Sequence, residues 1–241
     1  MTYDFEQPRL FDGDKHGRRL PPGPKSFLFL LNMQVDWLLE RIEAIRWNFN
    51  SILWEDDETQ LEKLTLSLED RWFFEHSGID FRAIPRVMRQ LVTLKRVGGV
   101  STIEQQLVRT LLERRERTVK RKSRELLLAW IISHRLAKRD ILRTYLASAY
   151  FGYRLRGCDK VSELVFRKPA SDLKIDEAAF VASLLVYPLP RSVCEAGENM
   201  GLHPVSNIRS YLETVSPTAP RWAKRVLRRL NYGLARVSKS K

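Results

Sequence analysis

The chain is poor in the residues that build covalent or metal-bound scaffolds. Among 241 residues there are two cysteines, Cys158 and Cys194, and four histidines. No C-x-x-C or H-x-x-x-H spacing occurs, so a disulfide framework and a zinc ribbon are both excluded. Long hydrophobic runs are missing too. The longest purely apolar run in the N-terminal third covers residues 27–31, whereas a spanning helix needs roughly 18–20 apolar residues. No transmembrane anchor is expected. Alternating β-branched segments bounded by hairpin signals are absent, so the expected class is mainly α, without strands. Acidic residues are the minority, 29 against 42 Lys and Arg, for a net charge of +13. What is present is ordinary globular material, 44% hydrophobic and 29% charged, enough for one large domain with appendages.

The charge is segregated. Residues 1–81 carry a net −7, residues 82–143 a net +12 and residues 144–241 a net +8. The middle block suits a polyanion such as a phosphate, a diphosphate, a nucleic acid or an anionic membrane surface, or else forms solvated helix faces.

Four segments are expected. Residues 1–25, with Pro8, Pro21, Pro22, Pro24, Gly13, Gly17 and Gly23, read as a flexible polar leader. Residues 26–53 form an amphipathic N-terminal helix region, in which Trp37, Leu38, Ile42 and Ile45 recur at three- and four-residue steps. This helix either packs on the main domain, the favoured reading, or rests on a bilayer. Residues 54–195 form the main domain and residues 196–241 a basic C-terminal helical segment. Within the domain Asp56-Asp57-Glu58 opens a helix, and Ser101-Thr102-Ile103-Glu104 reads as a capping box with Ser101 at the N-cap. A buried helix, apolar all round at its centre, is expected over 118–137, and another begins at Ser171 or Asp172 and stops before Pro188. At the C-terminus Trp222, Val226, Leu230 and Leu234 share one side of a helix charged by Lys224, Arg225, Arg228 and Arg229. It packs as the last helix of the domain or touches anionic lipid.

Three constellations could carry chemistry. In Glu69-Asp70-Arg71-Trp72-Phe73-Phe74-Glu75-His76-Ser77-Gly78 two acids precede aromatic residues. Apolar shielding of a carboxylate would raise its proton affinity toward that of a general base. The plainer account is a helix C-terminus with Gly78 as its cap. In Gly99-Val100-Ser101-Thr102-Ile103-Glu104-Gln105-Gln106-Leu107-Val108-Arg109 a glycine loop enters a helix whose amides and hydroxyls can hold an anion or a sugar. Arg117, Arg121 and Glu125 share one helical face, with Lys122 beside it. Guanidinium groups there can hold phosphate oxygens, or simply form an exposed salt bridge.

In order and spacing these segments resemble the family 51 glycosyltransferases, the peptidoglycan glycosyltransferases of penicillin-binding proteins and monofunctional transglycosylases. Residues 69–78 match E-D-x-x-F-x-x-H-x-G, residues 99–106 match G-x-S-T-I-x-Q-Q, and residues 121–125 match R-K-x-x-E. Residues 138–146, continued by Gly152 and Gly157, resemble a fourth motif, and residues 173–188, with Glu177-Ala178-Ala179, a fifth. The likeness covers about residues 60–190. It implies an all-α, lysozyme-like bilobed fold with a cleft between a core lobe and a smaller membrane-facing lobe. The implied reaction polymerises lipid II into β-1,4-linked glycan strands with release of undecaprenyl diphosphate, by inverting single displacement.

Carried over residue by residue, the catalytic residues are Glu69, as general base, and Glu125, ordering the cationic cluster. The substrate-binding residues are Asp70, Phe73, His76, Ser101, Thr102, Gln105, Gln106, Arg109, Arg117, Arg121 and Lys122. No organic cofactor and no metal-ligating residue is implied, although Mg or Mn could sit at the diphosphate. The implied partners are lipid II, the growing glycan strand, the membrane surface and other cell-wall synthesis proteins, not nucleic acid. The implied location is the periplasmic side of a bacterial inner membrane. The chain departs from the family pattern at Thr110 and Ala147, where the family has Asn, and at Val165-Phe166-Arg167-Lys168. The usual N-terminal anchor is also missing. A degenerate, non-catalytic relative acting as a scaffold, a hydrolase using Glu69 and Glu125 as its carboxyl pair, and a basic nucleic-acid-binding protein are the rival classes.

Overall fold

A computed structural model describes residues 24–49, 57–83, 85, 101–113 and 118–238. Arg117 and the Gly98-Gly99 pair lie outside the described residues, as does most of the expected leader.

Helix α1 (Pro24–Phe49) buries Leu31, Val35, Leu38 and Ile42 along one stripe. It therefore packs as expected, leaving Phe27, Leu28 and Phe29 exposed in its first turns. Helix α2 (Gln60–Glu69) starts later than the acidic triplet suggested. Thr59 is its N-cap and Glu62 reaches back to the Thr59 amide at 2.8 Å, because only that pairing satisfies two orphan donors reciprocally. Helix α3 (Ile103–Leu112) is capped by Thr102 rather than Ser101. The Glu104 side chain cannot close a box onto Ser101, since it turns into the core and pairs with Lys138.

Helix α4 (Val119–Arg135), capped by Thr118, is buried on one face only. Glu125, Leu128, Ala129 and Ile132 point inward while Trp130 is 48% exposed, so the expectation of burial all round fails. Helix α5 (Lys138–Ser148) follows. The sequence signal for strands was also incomplete: a short antiparallel hairpin joins β1 (Tyr150–Gly152) to β2 (Leu155–Arg156). With three and two residues, neither strand is long enough to show alternation. The turn holds Arg154 at φ 59°.

Helices α6 (Cys158–Phe166), α7 (Ile175–Leu184), α8 (Arg191–Asn199), α9 (Ile208–Val215) and α10 (Pro220–Ser238) complete the chain. The residues at Ser171 and Asp172 form a 3-10 turn, and α7 begins only at Ile175, where Glu177 accepts from the Lys174 amide at 2.7 Å. Seven consecutive residues of α7, from Ala178 onward, are buried. It is the central helix, packed by α2, α6, α9 and α10. On the other side α3 packs on α4 and α5, and α1 lies across α5 and α4. Both groups share one continuous apolar core that includes Phe73, Phe151 and Phe180, all fully buried. Each such side chain contributes about 1.5–3 kcal/mol relative to exposure. Helix α10 packs as expected: Val226 and Leu230 are buried and the Trp222 indole donates to the Tyr187 carbonyl at 3.0 Å. No described helix is long and apolar enough to cross a membrane.

Candidate active site

Glu69 is the last residue of α2, where the helix stops and the chain turns under α3. Its carboxylate is met from two directions. Oε1 accepts a charge-assisted bond from Arg229 Nη2 on α10, and Oε2 accepts from Gln106 Nε2 on α3 at 3.2 Å. The Gln106 amide is itself oriented, because Tyr145 on α5 donates its hydroxyl to Gln106 Oε1 at 2.7 Å. Burial, and then the nearby Glu69 charge, push the Tyr145 phenol far above its ordinary value, so it stays a donor. The Glu69 and Arg229 side chains are 10% and 19% exposed. The surroundings of Glu69 are thus a guanidinium and a fixed amide, not the hydrocarbon shell that the aromatic neighbours suggested. Trp72 and Phe74 are exposed instead.

Glu125, on α4, anchors the second half of the site. It is 3% exposed and accepts from Arg121 at 3.0 Å and Lys122 at 2.7 Å, with Arg109 of α3 at 4.0 Å. Lys122 uses its other donors on Ser101 Oγ at 3.2 Å and Gln105 Oε1 at 2.7 Å. Three cations around one carboxylate leave an excess of positive charge, and Arg109, 41% exposed, presents it outward. Both Glu125 oxygens are bonded to cations. Glu125 therefore orders the cluster.

The remaining predicted residues hold the frame. Asp70 accepts from His76 Nε2 at 3.0 and 3.1 Å and from the Ile103 amide, the first of α3, at 3.0 Å. Thr102 Oγ1 and Gln105 Nε2 both donate to the Gly78 carbonyl, at 2.9 and 3.0 Å. Phe73 is fully buried, with the Lys138 ammonium 4.5 Å from its ring centroid. Asp70, Phe73, His76 and Thr102 thus face protein, and they tie the end of α2 to the start of α3. Gly78 is not a helix cap. It sits at φ 80°, and a Cβ there would lie 2.5 Å from the Ala129 carbonyl oxygen.

Asp70, His76 and Glu104 bring ligand-type atoms within 4.8 Å of one another. The Lys138 ammonium already supplies the cation for this group, through Glu104 Oε1. Neither cysteine is a nucleophile candidate: both thiols are buried, and burial pushes Cys194 up to about 11.

Sequence reasoning placed Arg229 on an exposed basic face and missed its contact with Glu69. The available signal was its spacing, three residues after Val226 and four before Gly233, at the edge of the buried stripe.

A model of the transglycosylase family matches residues 42–201. The chain belongs to that family. Its mostly helical architecture is the all-α, lysozyme-like one implied by the motifs. Penicillin-binding protein 2a of Streptococcus pneumoniae is 36% identical over 133 residues, 55% of this chain and 18% of the relative. The biosynthetic peptidoglycan transglycosylases of Acinetobacter baylyi and Nitrosomonas eutropha are 29% and 34% identical, over 65% and 56% of this chain and 69% and 56% of theirs. The chain thus spans less than a fifth of the penicillin-binding protein. Two of the departures from the motif pattern, Thr110 and Ala147, line a single cavity of about 420 Å³.

Proposed function

We propose that this transglycosylase polymerises lipid II into β-1,4-linked glycan strands and releases undecaprenyl diphosphate. The observation that carries the reading is how the two charged halves flank helix α3. Gln106 binds Glu69, while Gln105 and Arg109 reach the Glu125 cluster. A basic carboxylate and an anion-holding cluster are what this displacement needs. The 4-hydroxyl of the acceptor sugar loses its proton to Glu69 as its oxygen bonds to the anomeric carbon of the donor. The bond from that carbon to the diphosphate breaks, the diphosphate takes the electron pair, and the configuration inverts. Oε2, bonded to a neutral amide rather than a guanidinium, holds the more available lone pair. Preorganised cations lower the barrier by meeting the charge that develops on the leaving group.

The lipid-borne substrate puts the reaction at a bilayer of the cell envelope, in keeping with the names of the relatives. Exposed Phe27, Leu28 and Phe29 are among the apolar side chains α1 can offer to that surface, with Met33 and Trp47 exposed further along it; further cell-wall synthesis proteins are the other expected partners. The test is gel analysis of products from labelled lipid II in detergent. Wild-type protein should build strands, and Glu69→Gln should cut the rate by ~100-fold or more. The non-catalytic reading draws on one observation, the near-complete burial of an ion-paired Glu69. A wild type that makes no strands would establish it.

A further inference from the structure

We infer that Arg229 is the positioning residue of the general base, supplied by a helix beyond the segment that the family model matches; this rests on the transglycosylase reading of Glu69. Arg229 lies 160 residues from Glu69 along the chain and outside residues 42–201. Its placement is enforced by packing. Val226 and Leu230 anchor α10 in the core, and Trp222 bonds the Tyr187 carbonyl. Gly233, one turn after Arg229, lets α10 close on α2: a Cβ there would come within 3.2 Å of the Leu68 side chain. With the helix axis fixed at these points, the Arg229 guanidinium faces the C-terminal end of α2. That end also favours a cation, because the last carbonyls of a helix carry partial negative charge.

The consequence is a carboxylate held on both oxygens by rigid supports, Arg229 on Oε1 and the Tyr145-oriented Gln106 on Oε2. A base clamped in this way cannot rotate away from the acceptor hydroxyl. A misplacement of about 1 Å in such a group can cost about 100-fold in rate. Arg229 differs in role from Arg109, whose exposed guanidinium belongs to the anion-holding cluster. Arg229 acts through Glu69, so its loss should appear in kcat and spare KM.

The test uses the full chain and labelled lipid II, with wild type, Arg229→Met, Arg229→Lys, Glu69→Gln and the double variant Glu69→Gln/Arg229→Met. Arg229→Met should lower kcat by roughly 10- to 100-fold with KM within about twofold. Arg229→Lys should keep a larger share of activity, and millimolar guanidinium ion should partly restore Arg229→Met. The double variant should be no slower than Glu69→Gln, because a support has no effect once the base is gone. Unchanged or increased kcat in Arg229→Met would overturn the inference, as would a rise in KM alone, failure of guanidinium rescue, or additive losses in the double variant. A wild type without activity would instead remove the transglycosylase reading, and the inference with it.

Discussion

Lys138→Met isolates the electrostatic frame beneath the site. Glu104 is wholly buried; its Oε1 accepts from Lys138 and lies 4.0 Å from His76 Nδ1, while its Oε2 has no hydrogen-bond partner. Met keeps a long apolar side chain but removes the ammonium that pairs with Glu104 and stands over the Phe73 ring. The Glu104 carboxylate is then buried without its counter-ion. Breaking a buried pair in this way costs about 3–5 kcal/mol. Lys138 keeps 20% of its side chain exposed, and water admitted there favours the lower end. At roughly 2–4 °C per kcal/mol for a chain of this size, a 3 kcal/mol loss is a fall in Tm of about 6–12 °C. Glu104→Leu/Lys138→Met should regain most of it, since an apolar pair of similar volume replaces both charges and their desolvation. Urea unfolding followed by circular dichroism at 222 nm measures both. A loss under about 1 kcal/mol in the single variant, or a double variant as unstable as the single, would refute the claim that this pair holds the frame.

Three other outcomes follow from the same geometry. Glu125→Gln leaves Arg109, Arg121 and Lys122 facing one another without a counter-charge, so it should destabilise by about 2–3 kcal/mol; the deficit should shrink in high salt, checked by melting at low and high ionic strength. Gly78→Ala, forced into a left-handed backbone against the Ala129 carbonyl, should cost about 3 kcal/mol in a thermal melt. Burial holds the His203 imidazole below its ordinary 6.5, so its contribution to stability is complete above that value and is lost as pH falls through the lowered folded value. Unfolding free energies measured from pH 7.5 downward should drop less steeply for His203→Phe than for wild type.

Much of the fold and part of the site were legible because local rules and global packing agree. The period of Trp37, Leu38, Ile42 and Ile45 announces an amphipathic helix, and Leu38 and Ile42 lie on the buried stripe of α1; the helix expected over 118–137 is found at Val119–Arg135. The errors fall where a long-range partner outweighs a local signal. Ser101 followed by Glu104 satisfies the capping pattern, yet Lys138, 34 residues on, takes the carboxylate, and the cap passes to Thr102. The run from Leu126 to Ile132 is apolar throughout, yet Trp130 stays 48% exposed. Asp70 and His76 bond each other, and Asp70 also accepts from the first amide of α3, a pairing that no local pattern announces. A motif records which residues a site requires without separating those that touch the reacting atoms from those that hold the scaffold.

The cationic middle block shows the same limit. Its net +12 reads as a field open to any polyanion, but several of its described side chains are committed inside the fold. Arg121 and Lys122 are fixed on Glu125, Lys138 on Glu104, and Arg143 on Glu62 at 2.9 Å. Four basic residues are thereby held by three buried carboxylates. Recognition of a nucleic acid depends on rows of exposed Lys and Arg that neutralise many phosphates at once. Here the cluster around Glu125 reaches the surface through Arg109. That arrangement suits one compact, multiply charged group held in a fixed orientation, and a diphosphate leaving group is such a group. The relevant property of this cluster is the fixed geometry of a few charges, which a count of basic residues does not reveal.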